Sequence, residues 1–289
     1  MYKNFYGLSE SPFSVNPDPR YLSLTKHAEE ALACLAYGIA ERKGFMLLTG
    51  EVGTGKTTIL NRLLDWLHGQ RIHTSYIFNP RFTVPEFFNF MMADFGISCS
   101  SEMKSQILIK LNRWLLDRYE ANERAVLIVD EAQTVSLQLL EEIRLLTNLE
   151  TPREKLLQIV LAGQPELEEN LNQTQLRQLR QRITIRAKMH PLEPDETRRY
   201  IADRLRTAGG NVNEIFSLEA MDAVHEYARG IPRLINVLCE HALINSFVGE
   251  SKPISADIVR EVASDFGLHR TDEMIQIPLW DVDAKHYPT

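Results

Sequence analysis

Five short segments in the first two thirds of the chain read as strands, at residues 45–49, 73–79, 125–130, 156–162 and 183–187, with 45–49 and 125–130 almost continuously apolar. Runs this short and this apolar are those of strands buried on both faces. Between them the apolar positions recur every three or four residues. In 26–42 they are Ala28, Leu32, Leu35, Ala36 and Ile39, followed by Gly44 where a helix would end. The same spacing predicts helices at 56–67, 85–95, 104–119, 137–149 and 175–181. Five strands alternating with helices predict a parallel sheet covered on both faces, an α/β architecture. From Pro194 the strand signal stops. Helical periods at 195–207, 217–229, 232–248 and 255–266 are broken by Gly209-Gly210, Gly230-Ile231-Pro232 and Lys252-Pro253. This predicts a small all-helical second domain. Before the first helix, Pro12, Pro17 and Pro19 stand among Phe5, Tyr6, Phe13 and Tyr21, which predicts an ordered strap of extended and turn conformations. The expected organisation is a strap at 1–25, the α/β domain at 26–192, a helical lid at 193–268 and a tail at 269–289 carrying Pro278, Trp280 and Pro288.

Length and composition agree with this division. The chain has 289 residues, enough for one large domain and a smaller companion, and its 44% hydrophobic and 25% charged content is that of a soluble globular protein. The apolar runs are too short for membrane spans, and the N-terminus lacks the basic start and apolar stretch of a signal peptide. Cys34, Cys99 and Cys239 follow no disulfide or zinc spacing, so the expected compartment is the cytoplasm. A net charge of −7 disfavours bulk coating of nucleic acid and leaves room for a local basic patch. His27, His190 and His225 lie far apart in sequence without ligand spacing, and Met91-Met92 with Phe87-Phe88 fit a packed helix face.

The candidate chemistry begins where the first strand ends. Gly50-Glu51-Val52-Gly53-Thr54-Gly55-Lys56-Thr57, with Thr58 following, matches the Walker A pattern and lies between a predicted strand and a predicted helix. Glycines there turn backbone N–H groups toward phosphates, and the helix N-terminus adds partial positive charge. Lys56 is expected on the β- and γ-phosphates and Thr57 on Mg²⁺. The implied ligand is therefore ATP with Mg²⁺.

The strand at 125–130 ends in Asp130 and Glu131, which places two carboxylates at the carboxyl edge of a parallel sheet, where ligands bind. Asp130 is expected at Mg²⁺ and its water shell, and Glu131 at the attacking water, since phosphoryl transfer asks a protein mainly for positioning and charge stabilisation. The strand at 73–79 intervenes between the two motifs, so the second acidic strand need not adjoin the glycine-loop strand. That favours the P-loop branch that uses a catalytic glutamate. Arg177, Arg180 and Arg182 precede the last strand, where they are candidates for reaching the γ-phosphate of a neighbouring subunit, or alternatively for an exposed basic face. Arg233, in Gly230-Ile231-Pro232-Arg233, opens a lid helix and is a candidate for reading the γ-phosphate.

Taken together, these motifs resemble an AAA+ ATPase. A narrower resemblance, to the general secretion pathway protein A family, covers about residues 1–268. It rests on Tyr6-Gly7-Leu8-Ser9-Glu10-Ser11-Pro12-Phe13, Pro17-Asp18-Pro19-Arg20-Tyr21 with His27, Asp130-Glu131-Ala132-Gln133, and Ala162-Gly163-Gln164-Pro165-Glu166-Leu167. The resemblance implies a strap bordering the adenine, Asn79 restraining Glu131, and Gln164 in the first sensor region. AAA+ proteins often carry Asn, Ser or Thr at that sensor, so Gln164 departs from the pattern. Full-length proteins of this kind continue into a membrane span and a peptidoglycan-binding region, which these residues do not include. The implied function is an oligomeric ATPase serving a secretion or exopolysaccharide assembly of the envelope, in the cytoplasm or held at the inner membrane by a partner. The competing function is a regulator of transposition that binds duplex DNA, with Arg177, Arg180, Arg182, Arg186 and Lys188 as phosphate contacts. A third is a nucleotide-bound switch that hydrolyses little.

Overall fold

The computed structural model describes residues 2–14, 21, 25–70, 72–98 and 103–269. Pro17, Pro19, Arg20, Cys99 and the expected tail from residue 270 lie outside the described residues. The chain divides into two compact units, Leu24–His190 and a second made of Met1–Ser23 with Pro191–Thr289.

The first unit holds five strands, β1 (Phe45–Gly50), β2 (Ile72–Ile77), β3 (Arg124–Val129), β4 (Leu157–Gly163) and β5 (Ile183–Met189). Their order is β2-β3-β4-β1-β5 and every pairing is parallel. Alternation along each strand sorts the side chains onto two faces. Met46 and Leu48 of β1, with Val126, Ile128, Val160 and Ala162, meet the helices Lys26–Ala40 and Lys56–His68 on one face. Phe45 and Leu47, with Leu127, Val129, Ile159 and Leu161, meet Val84–Asp94, Lys104–Glu120 and Leu137–Leu146 on the other. Burying each such Leu, Ile or Phe contributes about 1.5–3 kcal/mol.

Strand order corrects one step of the sequence reasoning. The strand that separates the glycine-loop strand from the acidic strand is β4, which pairs with both, whereas β2 sits at the sheet edge beyond β3. A helix at Pro165–Asn172 also lacks a counterpart in the sequence reading. Pro165 occupies its first turn, and only Leu167 and Leu171 mark its buried face. That is too little pattern to register as a period.

The second unit contains Pro194–Thr207, Val212–Ile215, Leu218–Ala228, Pro232–Val248 and Ala256–Asp265. The N-terminal segment belongs to this unit. Tyr2–Tyr6 is a short helix rather than extended chain, and Tyr6, Leu8, Phe13 and Tyr21 join the helical core with Ile201, Leu205, Phe216, Leu238 and Leu243. Tyr2 Oη donates to Glu240 Oε1 at 2.7 Å and the Ser11 hydroxyl to Glu240 Oε2 at 2.9 Å. The Arg204 guanidinium lies over the rings of Tyr21 and Tyr200, at 5.1 and 5.0 Å, and donates to the Pro12 carbonyl at 2.7 Å. The strap is thus fixed by a buried cation that packing, rather than periodicity, selects.

Gly230 closes the turn before Pro232. Its φ is +69°, and a Cβ there would lie 2.1 Å from the Leu192 carbonyl oxygen, because Leu192 N–H donates to the Gly230 carbonyl at 2.8 Å. Only glycine fits so close an approach in this backbone conformation. Among the described residues, no helix is long and apolar enough to cross a membrane.

Candidate nucleotide-binding site

The glycine loop leaves β1 at Gly50 and enters a helix at Lys56. Gly55 caps that helix with φ +98° and ψ 18°, a left-handed conformation that turns the following N–H groups outward at a positive helix end. Lys56 is only 5% exposed, and its ammonium donates to the carbonyls of Gly50 at 2.7 Å and Glu51 at 3.0 Å. The lysine is therefore folded back over its own loop. Burial pulls its pKa below the ordinary lysine range, opposed by the negative charges of Glu131, Asp130 and Glu51. Thr54 ties the loop internally, its hydroxyl donating to the Glu51 carbonyl at 2.8 Å, while Val52 is exposed at the tip.

The acidic strand ends against this loop. Thr57 Oγ1 donates to Asp130 Oδ2 at 2.9 Å, and Tyr76 Oη donates to the same oxygen at 3.3 Å. The other oxygen, Oδ1, accepts the Glu131 N–H at 2.9 Å. Asp130 is 3% exposed, and burial pushes its carboxyl above the usual range against these three hydrogen bonds. Burial, with the charge of Asp130, likewise raises the Tyr76 phenol. A carboxylate and a hydroxyl converging on one point is a hard-oxygen donor set that suits Mg²⁺.

Glu131 adopts φ 52° and ψ 35°, a left-handed conformation uncommon outside glycine, and so leaves the strand direction at the sheet edge. Its Oε2 accepts Gln133 Nε2 at 2.5 Å and Gln164 Nε2 at 3.2 Å. Gln164 thus meets Glu131 directly. Asn79 does not: it is exposed, two residues past the end of β2, and makes no hydrogen bond to Glu131 among the described residues. The expected strand 73–79 stops at Ile77, which leaves Asn79 in the loop.

The arginines lie elsewhere in their units. Arg180, on Arg177–Arg182, is exposed and donates to Asn172 Oδ1 at 2.9 Å, and Arg182 donates to Asn148 Oδ1 at 3.2 Å. Arg233 is exposed in the first turn of Pro232–Val248, in the helical unit. Arg186 and Lys188 face outward from β5.

Sequence reasoning gave no role to Tyr76, Gln133 or Glu168, which the fold brings to the site. The Glu168 carboxylate accepts the hydroxyl of Thr49 at 2.5 Å and so ties the helix after β4 to the end of β1. The only signal for Tyr76 was its alternation on β2. His27 and His190, far apart in sequence, have ring centroids 5.2 Å apart, with Glu30 Oε2 3.6 Å from His27 Nδ1. Among the described residues, no group of three or more His, Cys, Asp or Glu is arranged to hold a metal ion.

The profile of an AAA domain matches residues 39–171, which span the glycine loop, both carboxylates and Gln164. General secretion pathway protein A of Aeromonas hydrophila is 45% identical over 260 residues, covering 89% of this chain. The chain spans 47% of that relative's length. Similar solved structures include the Aeropyrum pernix ORC2 protein, with a TM-score of 0.65 and 15% identity over 93% of this chain and 75% of that one. Cdc6p from Pyrobaculum aerophilum has a TM-score of 0.65 and 17% identity, over 93% of this chain and 74% of its own. The Holliday junction branch migration motor RuvB of Thermotoga maritima has a TM-score of 0.55 and 18% identity, over 86% of this chain and 74% of its own. At these identities the solved structures speak to the fold.

Proposed function

This chain has the AAA+ P-loop fold and resembles general secretion pathway protein A, and on that premise we propose that it binds ATP with Mg²⁺ and hydrolyses ATP to ADP and phosphate. The observation that carries the reading is the convergence of Lys56, Thr57, Asp130 and Glu131 at one sheet edge, joined by the Thr57–Asp130 hydrogen bond of 2.9 Å. The backbone of Gly50–Thr58 cradles the phosphates, and Lys56 exchanges its two carbonyl partners for phosphate oxygens. Thr57 and Asp130 would hold Mg²⁺. When bound, the ion supplies positive charge to the phosphate oxygens. Glu131 orients the attacking water and accepts its proton. The water oxygen bonds to the γ-phosphorus while the bond to the β–γ bridging oxygen breaks, and ADP takes that electron pair.

The chain acts as a homo-oligomer in which Arg180 or Arg182 serves a neighbour's γ-phosphate. Its partner is a membrane or envelope protein of a secretion or polysaccharide system, which holds it at the cytoplasmic side of the inner membrane. The resemblance to general secretion pathway protein A over 89% of the chain supports this choice of system.

A second reading, binding of duplex DNA, has its support in the outward-facing Arg186 and Lys188 beside the Arg177–Arg182 helix. One experiment separates the two. Steady-state ATP hydrolysis per chain is measured over a wide range of protein concentration, with and without duplex DNA at low salt. A rate per chain that climbs with concentration and ignores DNA supports the oligomeric envelope ATPase. DNA stimulation abolished by salt transfers the assignment to DNA. In the same assay Lys56→Ala should lose nucleotide binding, and Glu131→Gln should bind ATP without turning it over.

A further inference from the structure

Both ends of the Gln133 amide are engaged. Nε2 donates to Glu131 Oε2 at 2.5 Å, and Oε1 accepts the backbone N–H of Gln164 at 3.1 Å. These partners determine the amide's orientation, because a flipped amide would set oxygen against carboxylate and NH₂ against N–H. The Gln164 side chain supplies a second donor to the same carboxylate oxygen at 3.2 Å. Glu131 Oε1 has no hydrogen-bond partner among the described residues. The backbone beneath is also held, since the Glu131 carbonyl accepts the Thr134 N–H at 3.0 Å and the Thr134 hydroxyl at 2.8 Å. Room for the bridge comes from Gly163, where a Cβ would stand 2.9 Å from Gln133 Oε1 and 2.8 Å from Leu167 Cδ2.

We infer that Gln133 is a positioning residue for ATP hydrolysis, whose amide couples the Glu131 carboxylate to the end of β4. It pins Oε2, fixes the plane of the carboxylate, and leaves Oε1 as the oxygen that takes the proton of the attacking water. Gln164 acts on the pinned oxygen from the other side, so that its main-chain N–H and its side chain both report the position of the β4 end to the base. The inference rests on the assignment of Glu131 as that base. A carboxylate with one oxygen tethered and one free has a single productive presentation, and misplacing a reacting group by an ångström can cost on the order of 100-fold in rate.

The test uses the full chain with Gln133→Leu, Gln164→Ala, the two combined, and Glu131→Gln. Steady-state kinetics give kcat and KM, and titration of a fluorescent ATP analogue gives affinity. Gln133→Leu should lower kcat by roughly 10- to 100-fold while KM and analogue affinity stay within about twofold. Because both glutamines act on one oxygen, the combined loss should fall short of the product of the single losses. A kcat equal to or above that of the unsubstituted chain would overturn the inference, as would a loss of affinity in step with kcat. Glu131→Gln separates the two levels of failure. If it hydrolyses ATP normally, the base assignment fails. If it is inactive while Gln133→Leu is fully active, only the role of Gln133 fails. Should Gln133→Leu fold poorly, Gln133→Met repeats the measurement with a more adaptable apolar side chain.

Discussion

Thr57 Oγ1 donates to Asp130 Oδ2 at 2.9 Å, joining the first turn of the helix after β1 to the end of β3 across 73 residues of sequence. Under the proposed function these two oxygens receive Mg²⁺, so the ion's gain in ATP affinity should depend on both. Thr57→Val and Asp130→Asn should each reduce the Mg²⁺-dependent part of ATP affinity by at least about tenfold. Titrations with Mg²⁺ and with excess chelator would check this. Chelation should bring all three chains to a similar weak affinity, and a Mg²⁺ response retained by both variants would remove these residues from the metal site.

Arg180 and Arg182 are held by Asn172 and Asn148 on the surface of their own unit, a placement that leaves them available to a second copy. An arginine supplied in trans raises turnover by roughly 10³- to 10⁵-fold in related chemistry. The variant in which the finger is lost should still bind ATP, and mixing it with Glu131→Gln should restore measurable hydrolysis. In such a mixture an intact base meets an intact arginine across one interface. No recovery at any mixing ratio for either Arg180→Ala or Arg182→Ala would count against both as fingers.

Gly230→Ala should destabilise the helical unit by about 2–4 kcal/mol, combining a strained positive φ with overpacking against the Leu192 backbone. Gly7 supplies the comparison, because its φ is +72° yet nothing lies within 4 Å of a Cβ there. Gly7→Ala should cost about 1 kcal/mol, the conformational part alone. Urea unfolding of the two variants measures the difference, and equal costs would deny the close approach its importance.

His225 Nδ1 lies 2.9 Å from the hydroxyl of the buried Thr197, and burial lowers the imidazole pKa below its ordinary value. Glu193, Asp222 and Glu226 oppose that shift, and Arg198 adds to it. Below about pH 6.5 the unfolded chain then binds more protons at this position than the folded chain. Stability from this group is present above that pH and is lost as the pH falls toward the folded pKa. Replacing His225 with Gln should make the urea midpoint less sensitive to pH between about 7.5 and 5.5. An unchanged pH slope would show that His225 does not carry it.

How much could be read from the sequence follows the range of each interaction. The glycine loop and the two carboxylates were legible because each follows an apolar strand within a few residues, and neighbours in sequence decide the geometry. The position of β4 between β1 and β3 was not, since strand order is a property of the whole sheet. Asn79 and Gln133 show the same limit from opposite sides. Asn79 follows a strand end yet makes no hydrogen bond to Glu131 among the described residues, while Gln133 lies two residues from Glu131 and holds it through a turn whose left-handed start no spacing announces. His27 and His190 meet only because the fold brings them together. Tyr2–Tyr6 was illegible because five residues cannot display a period, and Pro165–Asn172 because only Leu167 and Leu171 mark its buried face.

The hydrogen bond from Tyr2 to Glu240 spans 238 residues of sequence, and that from Tyr6 to the Leu243 carbonyl spans 237. Tyr2 and Tyr6 are therefore synthesised well before the residues that seat them. During synthesis all five strands emerge before the helices that bury Phe13 and Tyr21, so the sheet unit can close while these aromatics still lack their core. Closing so long a loop is slow, and until it closes a newly made chain displays the apolar and tyrosine side chains of this segment to whatever meets nascent protein.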